Sequence, residues 1–375
     1  MVWRTFFFGE KASAPRVSAT HSVLTSDSLA APLARILPRN AQPISRFGPT
    51  GRWGWPSPNP WRGKVSRRTD LLSRMNSSAF DERRLAEYSD TELVAHILSS
   101  PRISPNSRLS ILSLNLIVKQ TRESDAADEL EGMRFAQQLG LRVPSIKRVV
   151  HKDRDVCIIM TRIHGRTMEA AWPNMSWLLT IWVAIQLRCF VEIMRMSRSS
   201  TAGSLITGKG KSIWLEDYYG LPEHATPETL SSFIQFWLQY IPPWKRTEPQ
   251  ISTRGLRLLP ITPKHFVFTH QDLALRNLLF DEDNNLWLID WEFSGWYPTY
   301  FEYAGMQNSQ LDLISLRDKL RWWLFCLISV GIYRRESQAL SVVRGKCIRY
   351  SLARRDIVLQ EGAHFDGFHL RKHGI

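Results

Sequence analysis

The sequence predicts an α+β protein in two lobes, a small β-sheet-plus-helix N-lobe and a larger, mostly helical C-lobe. Three observations predict it. Between residues 109 and 161 short runs rich in Ile, Leu and Val alternate with one amphipathic helix. From residue 175 onward, long apolar segments of helical length take over. Inside that second half stands one polar hairpin, "HFVFTHQDLALRNLLFDEDNNLWLIDWE", at residues 265–292.

Residues 1–84 form a basic segment ahead of the folded part. Within it, residues 1–74 carry 12 Lys+Arg against 3 Asp+Glu, a net of +9 out of +14 for the whole chain of 375 residues. The body therefore has a nearly ordinary charge, which argues against a specific nucleic-acid partner. The segment is rich in Arg, Ser, Pro and Gly, and three readings of it stand side by side: a mitochondrial transit peptide, a disordered basic arm, or sequence upstream of a true start at Met75. The expected location is cytoplasmic, or mitochondrial if the segment is a transit peptide. The four cysteines, Cys157, Cys189, Cys326 and Cys347, lie far apart in apolar surroundings with no CxxC pair, and read as buried free thiols rather than a zinc site.

The N-lobe, residues 85–160, opens with "SDTELVAHIL", where Ser89 and Glu92 have the spacing of a capping box. "RLSILSLNLIVKQ" reads as a strand pair ending at Lys119. A helix follows in "SDAADELEGMRFAQQLGL", with Ala126, Leu130, Met133 and Gln137 on one face and Gly140 at its stop. "VPSIKRVVHKDRDVCIIMTRIHG" then reads as strand, charged turn, strand and loop, leading through a connector at 161–166.

The C-lobe, residues 167–375, begins with "MSWLLTIWVAIQLRCFVEIMRMS" and "TPETLSSFIQFWLQYI", the second capped by Thr226. Gln186, Arg188 and Glu192 interrupt the first, and "WWLFCLISVGIY" is shorter than the roughly 20 apolar residues a membrane span needs, so no span is expected. "TAGSLITGKGKSIWLEDYYGLPEHA" between the two helices is loop-like, and "SQLDLISLRDKLRWWLFCLISVGIY" returns to helix. Nothing in the sequence specifies an oligomer.

The hairpin carries the chemistry. "FVFT", "LLF" and "LWLI" read as strands and "DEDNN" as a turn, so the polar residues fall at strand ends. Returning strands bring Asn277 and Asp290 to the same end of the sheet. One amide oxygen and one carboxylate suit magnesium, which keeps water and phosphate oxygens in its octahedral shell. Asp272, on the same loop, is placed to accept a proton from an attacking hydroxyl.

"THQDLALRN" followed by "LWLIDWE" resembles the catalytic and metal loops of the aminoglycoside phosphotransferase and choline kinase-like branch of the protein-kinase-like fold, and "GWYPTYFEYAGM" resembles a large fungal group within it. The resemblance runs over residues 85–330. It implies ATP and Mg2+ as cofactors and a small-molecule hydroxyl as acceptor, with Asp272 as catalytic base, His270 as a brace of the loop, and Asn277 and Asp290 as metal ligands. It further implies that Lys119 meets the ATP phosphates, that Glu131 holds this lysine, with Glu129 close enough to compete, and that backbone from Met160 to Ile163 meets adenine.

Two features depart from the pattern. No glycine stands between Pro101 and Lys119, where backbone amides ordinarily approach phosphate, and this keeps a second reading open: a non-catalytic nucleotide-binding or interaction module. Gln271 stands where glycine is frequent and is expected to point at the substrate cleft. A protein-kinase reading is weaker, because "DWE" runs into "FSGWYP" without an activation segment. Residues 291–375 hold 12 Lys+Arg against 8 Asp+Glu, which argues faintly against a polycationic acceptor.

Overall fold

The computed structural model describes residues 80–105, 107–215, 221–240, 258, 260–308 and 315–349. All belong to one compact unit, Ser77–Ile375. The basic segment expected over residues 1–84 lies almost wholly outside the described residues.

The first helix, α1 (Asp90–Ser99), has the expected reciprocal cap: Glu92 N–H donates to Ser89 Oγ, and Ser89 N–H donates to Glu92 Oε2 at 2.7 Å. Strands β1 (Leu109–Ile111) and β2 (Leu116–Arg122) follow, then α2 (Glu123–Gln138), β3 (Ile146–Lys152) and β4 (Asp155–Thr161). The sheet order is β1-β2-β4-β3, antiparallel throughout. β2 runs three residues past Lys119, because pairing with β4 continues to Arg122 opposite Asp155. Leu93, Leu116, Val118, Val150 and Ile159 pack one face of this sheet against α1. Ala126, Leu130 and Met133 of α2 join the larger core on the other.

Residues 162–164 connect β4 to β5 (Gly165–Thr167), the edge of a second antiparallel sheet with β8 (Leu278–Asp281) and β9 (Leu286–Leu288). A Cβ on Gly165 would stand 1.7 Å from the Phe280 carbonyl oxygen, so this close approach of backbones requires glycine. The third sheet has the order β10-β7-β6, from β10 (Gly295–Tyr297), β7 (Phe266–Thr269) and the two-residue β6 (Arg198–Ser199).

The helices around these sheets are the short α3 (Met168–Ala171), α4 (Trp177–Met196), α5 (Pro227–Gln239), α6 (Tyr300–Asn308), α7 (Leu316–Ser329) and α8 (Arg334–Arg349). Thr226 caps α5 as expected, accepting from Thr229 N–H. α4 is long and apolar enough to cross a membrane by length and composition, yet Val183, Ala184, Leu187, Phe190, Val191 and Met194 are buried in the main core. Buried Arg321 on α7 donates to the carbonyls of Trp172 and Met175 and stacks on the Trp172 ring at 4.4 Å, which pins α7 beside α3. Of the four cysteines three are buried; Cys189 is exposed, because it sits on the solvent side of α4.

Candidate active site

The loop between β7 and β8 is buried except at Arg276, and its buried residues include His270, Gln271, Asp272 at 5% exposure and Asn277. An apolar strand delivers it: all four residues of β7 are buried, so the chain enters the core before it turns. Gln271 turns it with φ of 65°, a left-handed conformation that a non-glycine residue holds only when its surroundings fix it. Those surroundings are visible. Glu302 of α6 accepts from the backbone N–H of His270 and of Gln271, the latter at 3.2 Å. Gly305, one turn along α6, lets that helix press on the loop, since a Cβ there would stand 2.0 Å from the Gln271 carbonyl oxygen. The Gln271 amide does not point at a substrate cleft. It is fully buried, accepts from Ser212 Oγ at 2.6 Å and donates to the Phe293 carbonyl at 2.6 Å, joining three loops.

His270 has a defined tautomer. Its Nδ1 accepts from Asp272 N–H at 3.3 Å, so the proton is on Nε2, which donates to the Ile289 carbonyl at 3.1 Å. Burial lowers the imidazole pKa, against the pull of nearby Asp272 and Asp290, and keeps the ring neutral. The ring thus ties the Asp272 loop to the residue preceding Asp290.

The hairpin does what its pattern predicts. Leu278 pairs with Leu288, and Ile289 N–H donates to the Asn277 carbonyl at 3.1 Å, so Asn277 and Asp290 stand at one end of β8 and β9. Asn277 Nδ2 donates to Asp272 Oδ2 at 2.8 Å and to the Asp272 carbonyl at 2.9 Å. Both partners are acceptors, which fixes the amide orientation and leaves Asn277 Oδ1 as an acceptor that could meet a cation. Arg276 Nη2 also lies across Asp272, at 2.6 and 2.9 Å from its two oxygens.

Lys119 reaches this end of the hairpin from β2. Its Nζ is 2.6 Å from Asp290 Oδ1 and 3.9 Å from Glu292. Burial works against the ammonium, but the carboxylates of Glu129 and Asp290 outweigh it and raise the lysine pKa. Burial likewise pushes the Asp290 carboxyl up, and the lysine overrides it, holding Asp290 below its usual range. Asp290 has φ of 68°, the second left-handed non-glycine residue of the site.

The partner of Lys119 on α2 is Glu129, at 2.5 Å, and not Glu131. Helical geometry explains the correction. Ala126, Glu129, Met133 and Ala136 recur at three- and four-residue steps and share the buried face, whereas Glu131 lies off that stripe and pairs at 3.7 Å with Arg134. Met160 is buried at the end of β4, and Ile163 is half-buried in the connector, where Arg162 N–H donates to the Asn115 carbonyl at 2.7 Å. Both therefore lie where sheet and connector meet. Sequence reasoning passed over Glu302, Arg276, Glu292 and Arg108. A signal for Glu302 was present: one acid in the aromatic run "YFEYAG" marks a buried acceptor whose partners are backbone donors.

Residues 214–325 match the phosphotransferase enzyme family. The matched segment contains His270, Asp272, Asn277, Asp290 and Glu302, whereas Lys119 and Glu129 precede it. Solved structures similar to the chain include an aminoglycoside-3'-phosphotransferase of type VIII, at 12% identity over 66% of this chain and 91% of that one, with a TM-score of 0.39. Another is the choline kinase LicA from Streptococcus pneumoniae, at 12% identity over 74% and 93%, TM-score 0.37. A third is an aminoglycoside phosphotransferase from Streptomyces rimosus in complex with ADP and streptomycin, at 13% identity over 69% and 98%, TM-score 0.36. No curated protein matches the sequence.

Proposed function

We propose that the protein is a phosphotransferase that uses ATP and magnesium to phosphorylate a hydroxyl of a small molecule. The observation that carries this reading is the convergence of Asp272, Asn277, Asp290 and Lys119 at one end of the β8–β9 hairpin. The donor set fits the cofactors. Asn277 Oδ1 and the Asp290 carboxylate are hard oxygens suited to magnesium, and Lys119 supplies the cation for phosphate. Charge adds support: Arg108, Lys119 and Lys211 face Asp125, Glu129, Asp290 and Glu292, three cations against four carboxylates. A polyphosphate entering this slightly acidic cluster needs a divalent cation with it.

Bound magnesium would neutralise charge on the transferred phosphoryl group. The chain's own residues do the rest. Lys119 would meet phosphate oxygens in place of Asp290, and Asp290 would then hold the metal. Asp272 orients the acceptor hydroxyl and accepts its proton, one oxygen being turned from Arg276 to the acceptor as it binds. His270 and Glu302 keep the loop in place, so that catalysis comes from positioning and charge.

The test is a screen of alcohol-bearing metabolites for ATP consumption by the full-length protein with magnesium, run beside Asp272→Ala. Consumption that depends on one acceptor class and vanishes in the variant is expected; equal turnover in the variant sinks the assignment. The glycine-free loop and the Arg276 guanidinium across Asp272 favour a second reading, a nucleotide-binding module without turnover. A magnesium- and ATP-dependent rise in melting temperature with no consumption for any acceptor would establish that reading instead.

A further inference from the structure

No glycine lies between Pro101 and Lys119, and this stretch is built into the sheet. Residues 101–103 pair with β1 through Arg102 opposite Ser110, with Ile103 N–H donating to the Leu109 carbonyl at 3.0 Å and Ile111 N–H to the Pro101 carbonyl at 2.9 Å. The loop between these two stretches ends at Arg108, whose carbonyl accepts from Gln120 N–H at 2.9 Å, next to Lys119 on the same strand. So Arg108 lies beside Lys119 across the β1–β2 pair, and no glycine between Pro101 and Lys119 allows the close approach of backbone amides that ordinarily covers phosphate.

The Arg108 side chain instead crosses to the hairpin. Its Nη2 donates to Glu292 Oε2 at 2.8 Å, 184 residues further along the chain, while the side chain remains 55% exposed. That Glu292 oxygen is 3.9 Å from Lys119 Nζ, and the other is 3.9 Å from Lys211 Nζ. Lys211 lies 3.1 Å from Asp125, and its buried ammonium makes no well-directed hydrogen bond. Glu292 is therefore a hub on which three cations converge.

We propose that Arg108 is a phosphate-binding residue of the nucleotide site, standing in for the amides of a glycine loop, and that Glu292 holds it until the nucleotide arrives. This rests on the ATP reading above. A guanidinium presents its donors in a fork that matches phosphate oxygens, so one arginine replaces several backbone amides. The exchange is non-covalent: Arg108 gives up Glu292 for the polyphosphate, and Glu292 keeps Lys211 as neighbour. Without that lysine the exchange would leave a half-buried carboxylate unpaired, which is costly.

Calorimetric titration of the full chain with adenosine, and with ATP plus magnesium, tests this in the wild type, Arg108→Gln and Arg108→Lys. Arg108→Gln should weaken ATP binding by about tenfold or more, as loss of a charged hydrogen bond does, and leave adenosine binding unchanged. Arg108→Lys should fall between the two. Equal ATP affinity in wild type and Arg108→Gln overturns the proposal, and so does a parallel loss of adenosine binding, which marks a structural role. A wild type that binds adenosine no worse than ATP overturns the ATP reading itself.

Discussion

The two sides of the candidate site are held by different forces. On the loop side, His270, Gln271 and Asn277 are buried and fixed by hydrogen bonds to Glu302, Ile289, Ser212, Phe293 and the Asp272 backbone. On the lysine side, Lys119, Asp290, Glu292, Arg108 and Lys211 hold one another by charge. A ligand has no need to displace the first set of partners. It must displace the second, because Lys119 and Asp290 neutralise each other at 2.6 Å. On the proposed reading, the loop backbone of the acceptor side is built in advance, with only the Arg276 guanidinium to leave an Asp272 oxygen, and the phosphate side is remade on binding.

The largest effect that would break this comparison is on the loop side. Asp272→Asn keeps the shape of the side chain and removes the carboxylate proposed to accept the proton, so turnover should fall by about 10²–10⁴-fold, measured as initial rate at saturating ATP. Nucleotide affinity should stay near wild type, since Asn277 Nδ2 keeps its bond to the residue-272 carbonyl and Lys119 and Asp290 are unchanged. A loss of nucleotide affinity equal to the loss of rate would show that the two sides are not separate. Next in size is the lysine side. Glu129→Gln removes one of the two carboxylates hydrogen-bonded to a buried ammonium, and breaking a buried pair costs about 3 kcal/mol at the low end of its range; urea unfolding reads it.

A third prediction uses pH to probe the loop anchor. Burial drives the Glu302 carboxyl up to about 7 from 4.5, against the hydrogen bonds from His270 and Gln271. The folded state thus holds a proton that the unfolded state releases between those values. Glu302's contribution is fully present below pH 4.5 and is lost as pH rises through about 7. Its full size is on the order of 3 kcal/mol. Relative to Glu302→Gln, the wild type should therefore be more stable at pH 5 than at pH 7.5 in urea titrations. A constant difference between the two proteins would mean that Glu302 has the same charge folded and unfolded.

How far the sequence discloses this site differs between the two sides as well. The hairpin was legible because its three apolar runs and its turn residues set the register locally, and Asn277 and Asp290 follow from that register. The capping box at Ser89 was legible for the same reason. Strands β5, β6 and β10 are two or three residues long and carry no periodicity of their own; they exist through pairing with β7 and β8. Helix α6 was missed because its aromatic residues and its glycine have weak helix propensity, and burial overrides it. Gln271 was misread because its side chain answers to Ser212 and Phe293, residues 59 before it and 22 after it.

The smallest expected effect decides the register of α2. Glu129 and Glu131 are two residues apart, and the sequence pattern favours Glu131 for Lys119 with Glu129 close enough to compete. Tertiary packing separates them: Glu129 is buried with its oxygen on the lysine, and Glu131 stays within reach of Arg134 near the surface. Glu131→Gln removes one long, half-exposed i, i+3 pair, so stability should change by less than about 0.5 kcal/mol and nucleotide affinity should not change. Measured beside Glu129→Gln in the same urea titration, the pair of variants places the helix face. Equal losses in the two would mean that α2 is rotated from the position seen here, and that Glu129 does not belong to the lysine side.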